Sequence, residues 1–285
     1  MMAVIMDGKV LAKRYNAETA EIVKSIKRDV GLVVVLVGDD PASQRYVANK
    51  EKDCAACGIK SVTARYPATI TELQLCTEII NLMHLYPEYG IMVQMPLPEH
   101  IHPEHLLDLI PSTKDVDGLT SVSIGSLCKN RDGLLPCTPA GIMALLYEYG
   151  IDPVGKSCCV IGRSNIVGKP MAMLLTNANA TVTLTHSHTK NLTDAVSRAD
   201  IVVSASGHVG LLKPDMVKPG AVVIDVTTAM TENGWAGDVA DFDKMCEKVS
   251  FITPVPGGVG PMTRAMLMRN VVLANEMREE LWTSE

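Results

Sequence analysis

The chain has no apolar stretch approaching the roughly 18 to 20 residues that a bilayer-spanning helix needs. Its longest strong apolar run is Leu32 to Val37. The start, Met1 to Val10, has no basic region followed by a long apolar core, so no signal peptide is expected. Blocks of like charge are absent too, and a formal net charge of -6 argues against a general nucleic-acid surface. The expected partners are therefore small molecules, with neither nucleic acid nor membrane among them. The eight cysteines lack the dense spacing of a secreted disulfide scaffold, which points to a reducing cytosol and to cysteine as a small core residue. There is no internal repeat and no low-complexity segment.

What is present is length enough for two domains, 285 residues with 47% hydrophobic content, and an alternation of extended and helical patterns typical of a parallel α/β protein. Val33 to Val37 reads as a strand covered on both faces. Asp40 is placed to cap a helix with Pro41 at its first position, running from about Ala42 to Cys57 and stopped by Gly58. Ser61 to Tyr66 and Gly90 to Gln94 read as strands, separated by a helix from Thr71 to Tyr86 with the capping pattern Thr71-x-x-Gln74. A short helix ends near Ile110, and the polar stretch Pro111 to Gly118 is the candidate seam. Beyond it come helical segments near Val122 to Leu127 and Ala140 to Tyr149, the second with Thr138 as its cap and Pro139 at its first position. Strands follow near Cys158 to Ile161, Thr181 to Thr185, Ile201 to Ser204, Ala221 to Val226 and Phe251 to Thr253.

Three loops or helix faces carry candidate chemistry. Gly162-Arg163-Ser164-Asn165-Ile166-Val167-Gly168-Lys169-Pro170 lies where a strand passes into a helix, a junction whose free N–H groups and positive helix end suit a pyrophosphate. An ordinary tight turn is the plainer reading of such a loop. The next strand ends in His186-Ser187-His188 with no carboxylate for a ribose 2′-hydroxyl, and Arg163, Ser187 and His186 suit a 2′-phosphate, which favours NADP over NAD. Tyr46 and Lys50, four apart, share one helix face. An isolated pair of this kind is ordinarily solvated, but Gln94 at the end of a buried strand and Asp117 in the seam give it an amide and a carboxylate to face. Pro254 to Met262, with three glycines and three prolines, fits no regular element; it reads either as a structural turn before the final helix or as backbone bared to a flat ligand.

Other clusters carry less. Cys54 and Cys57 fall late in a helix, whereas a redox pair occupies a helix start, and no second such pair completes a zinc site. His100, His102 and His105 read as surface polarity, and no metal is expected.

Val37 to Ser43, Tyr46 to Lys50, Val93 to Pro98, Lys114 to Gly118, Gly162 to Pro170 and Pro254 to Met262 together resemble the bifunctional methylenetetrahydrofolate dehydrogenase/cyclohydrolase family of the bacterial FolD type, over nearly the whole chain. The resemblance implies an N-terminal catalytic α/β domain over 1–118 and a Rossmann-like NADP-binding domain over 119–285, with the helix from about 263 to 285 packing back on the first and an active-site cleft between the two. It implies NADP-dependent oxidation of 5,10-methylenetetrahydrofolate to the 5,10-methenyl compound and hydrolysis of that compound to 10-formyltetrahydrofolate, by a cytoplasmic homodimer joined through the NADP-binding domain. Lys50 would be the central catalytic residue, tuned by Gln94, with Tyr46 stacking on the folate, Asp117 bonding the pterin and Ser43 lining the cleft. Val93, Met95, Pro254, Pro256, Gly257, Gly258, Val259, Gly260 and Pro261 would also meet the substrate. Gly162, Arg163, Ser164, Ile166, Val167, Gly168, His186, Ser187 and Thr228 would meet NADP. One departure stands out: the family's Asp-Val-Gly-Ile/Thr-Asn is Asp225-Val226-Thr227-Thr228-Ala229 here. That leaves a monofunctional or NAD-dependent member, or a non-catalytic folate- or nucleotide-binding protein, as the alternatives.

Overall fold

The computed structural model describes residues 2–232 and 234–283, without the side chains of 279–283. The chain opens with β1 (Val4–Ile5) and α1 (Gly8–Ser25). It then alternates through β2 (Gly31–Val37), α2 (Pro41–Cys57), β3 (Lys60–Tyr66), α3 (Glu72–Leu85) and β4 (Tyr89–Val93). Three helices follow: α4 (Pro103–Leu107), α5 (Ser121–Cys128) and α6 (Cys137–Glu148). A second alternation runs β5 (Ser157–Ile161), α7 (Gly168–Asn177), β6 (Thr181–Thr185), α8 (Leu192–Ser197), β7 (Ile201–Ser204) and β8 (Val222–Asp225). The hairpin β9 (Ala229–Thr231) and β10 (Gly234–Ala236), α9 (Phe242–Lys248), β11 (Phe251–Ile252) and α10 (Val259–Thr283) complete the order. No described helix is long and apolar enough to cross a membrane.

The chain forms two compact units that interleave in sequence: 13–137 with 264–285, and 1–12 with 138–263. In the first, β3, β2 and β4 form a parallel sheet with β2 central. Every residue of β2 is buried, as a strand covered on both faces must be. One face sets Val33, Val35, Ile91 and Val93 against Leu75, Ile79 and Leu82 of α3 and Leu106 and Leu107 of α4. The other face is met by α2, whose Val47 and Cys54 are buried.

Local chemistry explains the helix bounds. The Asp40 carboxylate accepts from Ser43 N at 2.7 Å, Pro41 follows at the first position, and Gly58 ends α2 with φ 73°. Thr71 and Gln74 form the expected reciprocal cap of α3. The helix expected to start after Thr138 instead starts at Cys137, so Thr138 and Pro139 lie inside its first turn. Proline is tolerated there because first-turn N–H groups have no intrahelical acceptor to lose.

In the second unit six strands lie in the order β1-β11-β8-β7-β5-β6, all parallel. The chain runs outward from β5 to β6 and then returns past β5 to β7. That reversal is the switch point at which doubly wound sheets open a crevice at the strands' carboxyl ends.

Candidate active site and dinucleotide loop

Lys50 projects from α2 toward the carboxyl end of β4. Its Nζ donates to Gln94 Oε1 at 2.9 Å and lies 3.3 Å from Met92 Sδ. Strand alternation explains the selection: Met92 and Gln94 face α2, while Val93 between them turns its side chain into the core against α3. Val93, expected beside the substrate, thus has its side chain in the opposite layer, and Met95 packs on that same core. Gln94 is buried and donates through Nε2 to Met95 O at 2.6 Å, which fixes its amide with the oxygen toward Lys50.

The segment Lys114 to Gly118 aims one carboxylate at this lysine by giving its other residues structural work. Lys114 Nζ donates to the carbonyls of Tyr86 and Tyr89 at 3.0 and 3.2 Å. Asp115 is buried and accepts from Leu119 N, Thr120 N and Ser123 Oγ at the start of α5. Val116 is buried against Gly90, where a Cβ would lie 2.2 Å from Val116 Cγ1. Gly118 has φ +69°, and a Cβ there would meet the Leu135 carbonyl carbon at 2.4 Å. Asp117 is left to interact electrostatically with Lys50 and to hydrogen-bond with the Cys137 thiol.

Desolvation sets the protonation of the pair. Burial lowers the Lys50 pKa, opposed by the Asp117 carboxylate, which favours the charged amine, and assisted by Arg264. Burial raises the Asp117 pKa, opposed by the Lys50 ammonium. The amine is thereby moved toward the range where it can trade protons with water.

Tyr46, one turn before Lys50, is exposed, its ring available to a planar ligand. Ser43 is buried, its backbone N–H held by Asp40. Two contributors were not legible in the sequence because their partners are remote. Arg264 of α10 pairs with Asp53, one turn beyond Lys50, at 2.6 Å. Asn270, buried on the same helix, donates to Val116 O and Leu135 O at 2.9 and 2.8 Å and so clamps the Asp117 loop.

In the second unit, Gly162 leaves β5 with φ +106°, and a Cβ there would lie 2.2 Å from Ala205 O, beyond the end of β7. A Cβ on Gly168 would lie 2.0 Å from Gly162 O. Both glycines are therefore dictated by backbone packing at the switch point. Ser164 Oγ accepts from Val167 N and Gly168 N at 3.2 and 3.3 Å just before α7, while Arg163, Ser164 and Ile166 are exposed. Val167 is partly buried at the N-cap of α7. Because β6 pairs with β5, His186 and Ser187 emerge at the neighbouring strand end, Gly162 N donating to Thr185 O at 3.0 Å. His186 Nδ1 accepts from His188 N at 3.2 Å, which puts the ring proton of a neutral His186 on Nε2.

The departure at Thr227 also acquires a contact: its Oγ1 accepts from Gly207 N at 3.1 Å, while Thr228 beside it is exposed. Beneath it, buried Asp225 accepts from Asp238 N and Val239 N, both at 2.9 Å, and burial pushes its carboxyl up to about 6. Asp238 in turn accepts from Ser204 Oγ at 2.6 Å and from Ser206 N and Oγ at 2.8 Å. These carboxylates tie the turns after β7 and β8 together.

The loop Pro254 to Pro261 also belongs to this unit. Gly258 N donates to Pro254 O at 2.9 Å, and Gly257 has φ +117°. A Cβ on Gly8 would lie 1.8 Å from Gly258 O, so the start of α1 lies directly against this loop. Val259 is buried where α10 begins; Pro256 and Gly260 are exposed, and Pro261 is partly buried.

Comparison with known proteins agrees with both halves. Residues 6–117 match the catalytic domain of tetrahydrofolate dehydrogenase/cyclohydrolase and residues 136–279 its NAD(P)-binding domain. A protein of Campylobacter curvus, "Bifunctional protein FolD", is 49% identical over 279 residues, covering 96% of each chain. The crystal structure of the FolD methylenetetrahydrofolate dehydrogenase/cyclohydrolase from Campylobacter jejuni superposes with a TM-score of 0.94 at 46% identity, over 97% of this chain and 99% of that one. The Trypanosoma brucei FolD structure, complexed with NADP cofactor and an inhibitor, gives a TM-score of 0.91 at 38% identity, over 98% and 99%. The chain belongs to the tetrahydrofolate dehydrogenase/cyclohydrolase family.

Proposed function

We propose that this protein is a bifunctional enzyme that oxidises 5,10-methylenetetrahydrofolate to 5,10-methenyltetrahydrofolate with NADP and hydrolyses the product to 10-formyltetrahydrofolate. The observation that carries the reading is the desolvated lysine held by Gln94 at 2.9 Å and faced by Asp117, in a chain of this family. Hydrolysis needs a group that takes a proton from water and delivers one to a folate nitrogen. An amine with a lowered pKa does both, and Gln94 orients it without adding charge. Tyr46 stacks on the folate, and Asp117 accepts a hydrogen bond from its pterin ring. Ser43, Val93 and Met95 contribute through the backbone and packing around the end of β4, and the loop Pro254 to Pro261 meets the substrate through its exposed Pro256 and Gly260, since Gly257, Gly258 and Val259 are buried.

The residues at the switch point fit NADP. Two glycines whose Cβ positions are filled by backbone let the chain fold closely at the start of α7, whose positive helix end suits a pyrophosphate. Arg163, His186 and Ser187 bind the 2′-phosphate, at a strand end that offers no carboxylate to repel it. NADP held there would supply the hydride acceptor, and this chain would supply orientation through that loop and through Thr228.

All eight cysteines are free thiols, in keeping with a reducing cytosol. The reading extends to a homodimer joined through the NADP-binding domain, which sedimentation would check as twice the chain mass. The central test follows absorbance during turnover of methylenetetrahydrofolate with NADP and NAD in parallel. Reduction of NADP followed by loss of the methenyl chromophore is expected; no reduction of NADP would overturn the dehydrogenase half. Turnover with NAD in preference would assign the altered Thr227 to Ala229 turn a change of cofactor.

A further inference from the structure

Glu72, His102 and His105 bring three metal-competent side chains together with no part in the chemistry above. Glu72 opens α3, His102 caps α4, and His105 lies within α4. His102 Nδ1 lies 2.8 Å from Glu72 Oε2, and His105 Nδ1 lies 2.8 Å from Glu72 Oε1. The donor atoms all fall within 4.8 Å of one another, and no other described group of three or more His, Cys, Asp or Glu side chains converges in this way.

We propose that Glu72, His102 and His105 form a three-ligand site for a divalent transition ion of the zinc type, a structural clip between α3 and the start of α4. Two imidazoles and one carboxylate leave room for water in the fourth position of a tetrahedral ion. The scaffold is built before the ion arrives. His102 N donates to Glu72 Oε2 at 2.7 Å, and His100 Nε2 lies 2.8 Å from Ile70 O, so two side-chain contacts register the 70–72 segment against 100–102. Beneath them Ile70, Leu75, Ile101, Leu106 and Leu107 share one buried core. Each imidazole now points Nδ1 at the carboxylate. To bind the ion, a neutral ring moves that proton through solvent to its outward Nε2, and an imidazolium releases one proton. From sequence the histidines read as solvated side chains because the third ligand stands thirty residues upstream in the chain.

The test uses tag-free full-length protein, since a histidine tag would itself bind zinc. Zinc stoichiometry and affinity are measured against a chromophoric chelator for the wild type, for His102→Gln/His105→Gln and for Glu72→Gln. One more zinc per chain in the wild type than in the double variant is expected, with at least a tenfold weaker affinity in Glu72→Gln. Bound cobalt(II) should show visible d–d absorption without a thiolate charge-transfer band, and zinc should raise the wild-type Tm but not the double variant's. All three residues lie outside the proposed catalytic machinery, so unchanged zinc-free turnover in the variants certifies their fold. Equal stoichiometry and affinity in wild type and double variant would overturn the site, as would a cobalt spectrum dominated by thiolate.

Discussion

The Lys50 site and the Gly162 loop are built by opposite means. At Lys50 the proposed function rests on a side chain whose pKa is lowered by removal of water, and the neighbours that act on it are other side chains. At Gly162 the proposed function rests on backbone, and glycines stand where the chain approaches itself too closely for a Cβ. A side-chain site therefore fails by subtraction and a backbone site by addition.

Lys50→Met should break the first region most severely. Methenyltetrahydrofolate hydrolysis is expected to fall by about 10²- to 10⁴-fold, the usual worth of a positioned acid-base group, while far-ultraviolet circular dichroism stays unchanged. Hydrolysis at the wild-type rate would remove Lys50 from the chemistry.

Gly162→Ala should break the second region alone. A methyl group 2.2 Å from Ala205 O at φ +106° forces the loop to shift, and strain of about 1–3 kcal/mol at such a position predicts a loss of about 10- to 100-fold in kcat/KM for NADP. Hydrolysis of supplied methenyl substrate should hold within about twofold, the usual scale for a substitution remote from the reacting centre. Parallel loss of both activities would mean that the two regions are not separable.

Gln94→Glu sharpens the comparison by pH. It places a carboxylate where the amide oxygen now lies 2.9 Å from Lys50 Nζ, favouring the ammonium. The limb of the hydrolysis profile that reports free amine should move up by about one pH unit or more, a loss of about tenfold near neutrality. The sign has a stability counterpart. Lys50 in the folded protein has a pKa below its unfolded value of about 10.4, so the unfolded chain binds more protons in between. The group's contribution to stability therefore rises with pH across that window, and Lys50→Met should flatten the slope measured by urea unfolding.

Thr227→Val is the mildest change. It keeps the shape and removes the acceptor of Gly207 N, at an exposed turn where water can replace it. A net hydrogen bond of about 0.5–1.5 kcal/mol sets the upper bound, so the KM for NADP should rise only a few-fold.

Legibility in the sequence followed locality. Asp40, Pro41 and Gly58 declared α2, and Thr71 with Gln74 declared the start of α3, because capping partners are three or four residues apart. The helix α1 and the hairpin β9–β10 were not read; exposed Met230 and Trp235 pair across that hairpin, but its strands are too short to develop a period. Within Lys114 to Gly118, the sequence singled out Asp117 but not the partners that hold its neighbours. Lys114, Asp115, Val116 and Gly118 are each claimed by partners elsewhere in the chain, and Asp117 is what remains.

The sequence by itself determined the α/β class and the family, and marked the glycine loop and the lysine proposed as catalytic, since each is written in local spacing or contiguous motif. Only tertiary structure decided that Met92 joins Gln94 at the lysine while Val93 turns away, and that Arg264 and Asn270 of the last helix brace the site. It alone brought Glu72 to two histidines across the fold. The physical reason is range: caps, turns and periodicity act over a few residues, whereas desolvation, charge pairing and ligand convergence depend on distances that chain order does not encode.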